Sequence, residues 1–345
     1  MSSNQTSILL IYTGGTIGMI HNRETHALES FNFDHLLNHI PELRQFNLNI
    51  DAITFDPPID SSDMEPQMWA RIARTIEENY SKYNGFVILH GTDTMAFTAS
   101  ALSFMLEGLM KPVILTGSQL PVGGLRTDGK ENLITAIEIA AARKPDGTPV
   151  VPEVCIYFHE KLMRGNRATK VNSVSFGAFG TNNYPLLGMA GTDLQFYTRN
   201  IKKYDPDAKL KVHYNLESSI FIFSLFPGIS KEVVEKVLVA DELKGIIFRT
   251  YGAGNAPQKK WLVDALSKAN AQGKVIVNIT QCAGGSVQME RYETGLQLLE
   301  AGVVSGKDST VEASLTKLMS LLGRGLPVEE VRRLMSTSLN GEITV

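Results

Sequence analysis

Short apolar, β-branched runs alternate along the first half of the chain with stretches whose apolar positions recur every three or four residues. The runs at residues 7–12, 50–55, 85–90, 113–116 and 154–158 predict strands. Between them, residues 34–39, 66–80, 95–107 and 129–142 carry the helical period. Such alternation predicts a mainly parallel sheet with helices on its faces. The helix from Met95 follows Asp93-Thr94, a good capping sequence, and is predicted to end near Gly108. Another helix is predicted to follow Ser61-Ser62-Asp63, whose short polar side chains suit a helix N-terminus.

Past Asn182 the pattern loosens. Residues 196–212, FYTRNIKKYDPDAKLKV, are polar, contain Asp205-Pro206 and read as a linker or an excursion between domains. The α/β rhythm resumes at 219–225, 227–240, 245–250, 261–272 and 274–280, which predicts a second, smaller parallel sheet, with terminal helices at 311–322 and 327–335. A chain of 345 residues exceeds most single cores. The expected organisation is an N-terminal α/β catalytic domain over 1–195, a linker over 196–217 and a C-terminal α/β domain over 218–345.

Composition narrows the function more than the fold. A formal net charge of −3 offers no basic stripe for nucleic acid. No run approaches the roughly 20 apolar residues of a spanning helix. The start, MSSNQTSILLIYTGG, lacks a basic region and a small-residue cleavage site, so its apolar segment reads as a first strand and the expected location is the cytoplasm. Cys155 and Cys282 form no CxxC, which fits a reducing compartment and leaves no cysteine pair spaced for metal; each reads as a buried thiol.

In open α/β sheets, ligands bind beyond the carboxyl ends of the strands. Four loops there are rich in small hydroxyls: Thr13-Gly14-Gly15-Thr16, Asp60-Ser61-Ser62-Asp63, His90-Gly91-Thr92-Asp93-Thr94 and Thr116-Gly117-Ser118-Gln119. The glycines at 14, 15 and 18 do not have dinucleotide-binding spacing, and no Walker pattern or G-x-S-x-G elbow occurs. His159-Glu160 begins a zinc motif whose second histidine is missing. His90 reads as a hydrogen-bonded support for its turn, and the Met95-Ala96-Phe97 and Phe104-Met105-Leu106 stripe as helix core. What remains is threonines, serines, Asp93 and a lysine. A threonine hydroxyl is a weak nucleophile that needs a base beside it, and adjacent glycines let backbone N–H groups approach an oxyanion. On the residues alone, Thr16 and Thr92 read more readily as turn or capping residues.

Two of these loops together resemble a family. TGGTIG at 13–18 and HGTDTM at 90–95 look like the two signature motifs of the bacterial-type L-asparaginases, and DSSDM at 60–64 is similar to their substrate-binding loop. RGNRATKVNS at 164–173 resembles the segment carrying the catalytic lysine, here Lys170, while RTYGAGNAP at 249–257 and NITQC at 278–282 continue the likeness into the second domain. The resemblance covers nearly the whole chain and is to the type I, cytoplasmic branch. It implies a larger N-terminal α/β domain, a smaller flavodoxin-like C-terminal domain, homodimers or homotetramers, and hydrolysis of L-asparagine to L-aspartate and ammonia without cofactor or metal.

Carried over by residue, the resemblance implies that Thr16 attacks the side-chain amide and forms an acyl-enzyme. Thr92, Asp93 and Lys170 make the second polar group, Lys170 tuning Thr92 and Asp93 holding the α-ammonium. Asp60, Ser61 and Ser62 bind around the α-carboxylate, with Asp60 contributing through backbone or by orienting its loop. Which threonine attacks first rests on the resemblance, not on spacing. In several relatives a mobile loop carries an activating tyrosine; the equivalent here is His26, so either His26 takes its place or Thr16 is activated by other means, the second being favoured. Arg249, Thr250, Tyr251 and Cys282, with Thr169, stand where some type I members bind asparagine allosterically; an Arg249 bracing an interface is the equal alternative. The competing functions are a glutamine-preferring enzyme, the amidase subunit of a tRNA-dependent amidotransferase, whose added RNA-associated domain has no room before Ile8, and an inert amino-acid sensor, which would lack Thr16 or Lys170.

Overall fold

The computed structural model describes residues 5–18, 20–21, 28–29, 40–291 and 293–345. It divides into two compact units, Met1–Thr181 with Pro185–Val212, and Asn182–Tyr184 with His213–Val345. The helix predicted at 34–39 lies outside the described residues.

The first unit is built on an eight-stranded sheet. Its strands are β1 (Ser7–Tyr12), β2 (Asn49–Thr54), β3 (Gly85–Leu89), β4 (Val113–Thr116), β5 (Val154–Phe158), β6 (Lys161–Arg164), β7 (Gly188–Ala190) and β8 (Leu194–Phe196). Their order is β8-β7-β6-β5-β4-β3-β1-β2. The pairs from β2 through β5 are parallel, and β6, β7 and β8 add antiparallel pairs. Every residue of β3, β4 and β5 is buried, as apolar strands covered on both faces require. At the edge, β2 exposes Asn49, Asp51 and Thr54, polar positions that discourage further pairing. The antiparallel strands were not anticipated, because they are short and lack a β-branched run.

Helices α1 (Pro66–Asn79), α2 (Met95–Met105) and α3 (Gly129–Ala141) cover the sheet. On α1, Trp69, Ile72, Ala73 and Ile76 recur at helical spacing and are buried. Complete burial of Ile72 and Ile76 contributes about 1.5–3 kcal/mol each. The core reading of the stripe holds for Met95, Ala96, Phe104, Met105 and Leu106, which are buried, while Phe97 is half-buried.

Three local expectations are corrected. The helix expected over 66–80 does begin at Pro66, whose fixed φ suits a first helical position, but Ser61–Asp63 does not form its N-terminus: these residues make a separate 3-10 turn capped by Asp60. Thr94 precedes α2 but makes no side-chain cap; its side chain is turned instead to Ser61 O, to which the hydroxyl donates at 2.6 Å. The same helix ends early, at Met105, because Leu106–Glu107 pairs antiparallel with Lys211–Val212, and Gly108 then turns with φ +72°. That pairing belongs to the first unit.

The second unit holds four parallel strands, β9 (Ile220–Ser224), β10 (Gly245–Thr250), β11 (Val275–Thr280) and β12 (Val304–Ser305), in sequential order. Its helices are α4 (Lys231–Leu238), α5 (Lys260–Ala271), α6 (Glu293–Glu300), α7 (Val311–Gly323) and α8 (Val328–Met335). Alternate residues of β10 serve opposite faces: Ile246 and Phe248 pack with Val234, Leu238, Leu262 and Leu266, whereas Ile247 packs with Leu318, Leu321, Val331 and Met335. The second parallel sheet expected from the sequence is present; α6 and β12 are additions to it. Among the described residues no helix is long and apolar enough to cross a membrane.

Candidate active site

In the first unit the chain runs from β1 outward to β2 and then back to β3 on the other side of β1. Connections therefore diverge at the β1/β3 boundary, leaving a crevice beyond the carboxyl ends of these strands, the usual ligand position in an open sheet. The loop after β1 is tied into that crevice: the Thr13 amide and hydroxyl both donate to Leu89 O at 3.0 Å, and Ile59 N donates to Thr13 O at 2.7 Å.

Glycine is required at two positions here. Gly14 and Gly15 have φ +142° and +90°, where other residues are strained. A Cβ on Gly14 would lie 2.0 Å from Ile59 O, and one on Gly15 would lie 2.5 Å from the Gly91 backbone. The first loop is thus pressed against the loops after β2 and β3. Tyr12 braces the turn through its hydroxyl, which donates to Gly15 O at 3.3 Å, and burial pushes that phenol up to about 12. Thr16, half-buried, heads the 3-10 turn that follows. His26 lies outside the described residues.

After β2, the Asp60 carboxylate accepts hydrogen bonds from both the amide and the hydroxyl of Ser62 at 2.9 Å. These bonds, the backbone one foremost, hold the pKa of its carboxyl below the usual carboxylate range. Asp60 therefore orients its own loop. Ser61 is buried against Gly91, where a Cβ would come within 2.4 Å of Ser61 Oγ, while Ser62 is exposed.

The third loop meets a distant lysine. Lys170 sits on the short pair Thr169–Lys170 and Phe179–Gly180, and its Nζ donates to Thr92 Oγ1 at 2.9 Å and to Asp93 Oδ1 at 2.7 Å. The lysine side chain is 18% exposed and that of Asp93 is 64% exposed, so the ammonium is enclosed while the carboxylate faces outward. Gln119, which the sequence reading left without a role, accepts from Thr92 Oγ1 at 3.5 Å. Its place in a hydroxyl-rich loop after β4 was the signal available for it.

His90 supports this loop from beneath. Its ring is buried, with Nδ1 2.7 Å from Gly91 O and Nε2 2.9 Å from Thr98 Oγ1, which also accepts from Trp69 Nε1 at 2.9 Å. A carbonyl oxygen can only accept, so the proton is on Nδ1, and the bonds run in one direction from Trp69 through Thr98 and His90 to Gly91. Burial lowers the imidazole to about 4. Sequence reasoning anticipated this supporting role.

Of the residues considered for allostery, Thr169 belongs to the first unit and the others to the second. Among the described residues, Arg249 Nε and Tyr251 Oη are buried without a hydrogen-bond partner, a costly state for polar groups unless something else satisfies them. Thr250 is buried and donates to Asn278 Oδ1 at 2.7 Å. Cys155 is buried, but Cys282 is exposed, contrary to expectation, because it lies past the end of β11 in a turn begun by the bond from Cys282 N to Thr280 Oγ1. Among the described residues no group of three or more His, Cys, Asp or Glu side chains is placed to hold a metal ion.

Comparison with known proteins agrees with this geometry. L-asparaginase 1 of Escherichia coli K12 is 44% identical over 98% of this chain and 98% of its own. The 60 kDa lysophospholipase of Mus musculus is 40% identical over 98% of this chain, which spans 62% of that longer protein. The crystal structure of L-asparaginase I from Vibrio cholerae O1 biovar eltor matches with a TM-score of 0.90 and 42% identity, covering 99% of this chain and 100% of that one. Residues 7–202 match the family described as Asparaginase, N-terminal, and residues 219–335 the Glutaminase/Asparaginase C-terminal domain, so the chain belongs to the asparaginase family.

Proposed function

We propose that the protein is an L-asparagine amidohydrolase that releases L-aspartate and ammonia. The observation that carries the reading is the contact of Lys170 Nζ with both Thr92 Oγ1 and Asp93 Oδ1, at the sheet edge where Thr16 heads the first loop. In the first half-reaction, Thr16 Oγ1 bonds to the side-chain carbonyl carbon and loses its proton; the C–N bond breaks, and ammonia leaves after taking up a proton. Water then adds to the resulting ester, returning Thr16 and the β-carboxylate. Thr92 and Lys170 serve this proton transfer. Asp93 receives the substrate's α-ammonium, and Ser61, Ser62 and the Asp60-ordered backbone receive its α-carboxylate.

The likeness to L-asparaginase 1 over the full chain supports this substrate. The same family supports a homodimer or homotetramer acting in the cytoplasm, with asparagine as activator at Arg249, Thr250, Tyr251 and Cys282 of the second unit. Ammonia release from asparagine and from glutamine, measured beside Thr16→Ala, tests the reading. The expected result is release from asparagine that the variant loses; asparagine binding with no release by the unmodified protein would make it a sensor instead.

A further inference from the structure

Lys170 is carried by a hairpin whose turn has little packing of its own. Val171 is 53% exposed and Val174 is 85% exposed. A cavity of about 610 Å3, lined in part by Leu120, Arg126 and Phe176, opens beside the bend at residues 173–175. Inside the hairpin, Val171 N donates to Ala178 O at 2.8 Å, and Asn172 Oδ1 accepts from Val174 N and Ser175 N at 2.8 and 2.7 Å. These bonds shape the bend but do not attach it to the body of the unit.

Ring contacts of Phe176 with His159 and of Phe179 with Phe158 pack the returning strand of the hairpin, and Gln119 adds a hydrogen-bonded attachment at the bend itself. Its Nε2 donates to Ser173 O at 3.3 Å and to Ser175 O at 3.0 Å. Two carbonyls can only accept, so they fix the carboxamide with its NH2 toward the bend and its oxygen toward Thr92. Oε1 can in turn only accept, which makes the Thr92 hydroxyl the donor in their 3.5 Å contact and leaves the Thr92 oxygen lone pairs to Lys170 Nζ at 2.9 Å. The backbone of Gln119 is itself held, its amide lying 3.1 and 3.0 Å from the two oxygens of Asp128, which also accepts from Asn132 Nδ2 at 3.2 Å.

The geometry points to Gln119 as a positioning residue: one carboxamide sets the Thr92 hydroxyl rotor and clamps the hairpin that delivers Lys170, so that the two groups meet in one geometry. It acts through Thr92 and Lys170 rather than on the substrate. This role rests on the asparagine-hydrolysis reading above.

The test uses Gln119→Met, which keeps length without hydrogen bonding, and Gln119→Leu in case the first variant folds poorly. Steady-state ammonia release is measured in the unmodified and the Thr92→Val backgrounds, together with amide hydrogen exchange over residues 171–178. The expected result is a kcat lower by roughly 10- to 100-fold, the scale of a misplaced reacting group, with KM within about twofold. In the Thr92→Val background the further loss should be under about twofold, and exchange in the hairpin should rise. A kcat unchanged by the substitution, an equal loss in both backgrounds, or unchanged exchange would overturn the role. Absence of ammonia release from the unmodified protein would instead overturn the reading of the reaction.

Discussion

Lys170 Nζ lies 2.9 Å from Thr92 Oγ1, although 78 positions separate the two residues in the chain. The loop after β3 supplies the hydroxyl and a separate short hairpin supplies the ammonium, so neither segment makes the pair alone. Replacing Lys170 by Met or by Arg is expected to lower kcat about 100-fold or more, the scale of a lost acid–base group. Arg keeps the charge but cannot give up a proton. Ammonia-release kinetics that show near-normal turnover for Lys170→Arg would mean that charge alone is needed.

Gly15→Ala tests the close approach of the first loop to Gly91. The backbone at φ +90° by itself costs an alanine about 1–3 kcal/mol, and the Cβ would lie 2.5 Å from the Gly91 backbone. Urea unfolding should report a loss at least that large, with turnover falling at the same time because Thr16 follows directly. A variant as stable as the unmodified protein would show that the loops relax at no cost.

His90 gives a pH dependence with a defined sign. Burial lowers its folded value to about 4 from 6.5, so between these values the unfolded chain binds more protons than the folded one. Stability is therefore unaffected above about pH 6.5 and decreases as pH falls toward 4, by about 3 kcal/mol for a shift of this size. Subtracting the unfolding free energies of His90→Gln from those of the unmodified protein across pH 4–7 isolates the contribution. A difference that does not vary with pH would count against it.

His26→Phe should retain most turnover, because Thr16 is expected to be activated by other means. A loss comparable to that of Thr16→Ala in the same assay would make His26 the partner of the nucleophile.

Arg249 Nε and Tyr251 Oη, buried and without a hydrogen-bond partner among the described residues, favour a ligand at the end of β10. If asparagine is that ligand, rate against asparagine concentration is sigmoidal, and Arg249→Ala removes the sigmoidicity while keeping the maximal rate. Hyperbolic kinetics in the unmodified protein would leave Arg249 with a bracing role.

How far the sequence carried depended on the range of the forces involved. Buried strands such as Val113–Thr116 and Val154–Phe158 were legible to the residue because continuous apolar runs have few other ways to leave water. Thr94 does not cap its helix because its side chain is turned toward Ser61 O, 33 positions away, rather than toward the first-turn amides. Cys282 was misread as buried because residue type is a weak guide to burial beyond the end of a strand. Gln119 was passed over because an amide side chain acquires a role only from the carbonyls and hydroxyl it meets.

The sequence by itself determined that hydroxyl- and glycine-rich loops follow successive buried strands, since apolar runs and small turn residues are local properties of the chain. Tertiary structure alone decided which of those groups meet. The β1/β3 divergence puts the loops with Thr16 and Thr92 on one edge, the interlocked glycines set their spacing, and the hairpin at residues 169–180 brings Lys170 to Thr92. Hydrogen bonds of about 3 Å between residues tens of positions apart arise only after sheet order and register are set, and nothing in the local pattern encodes them.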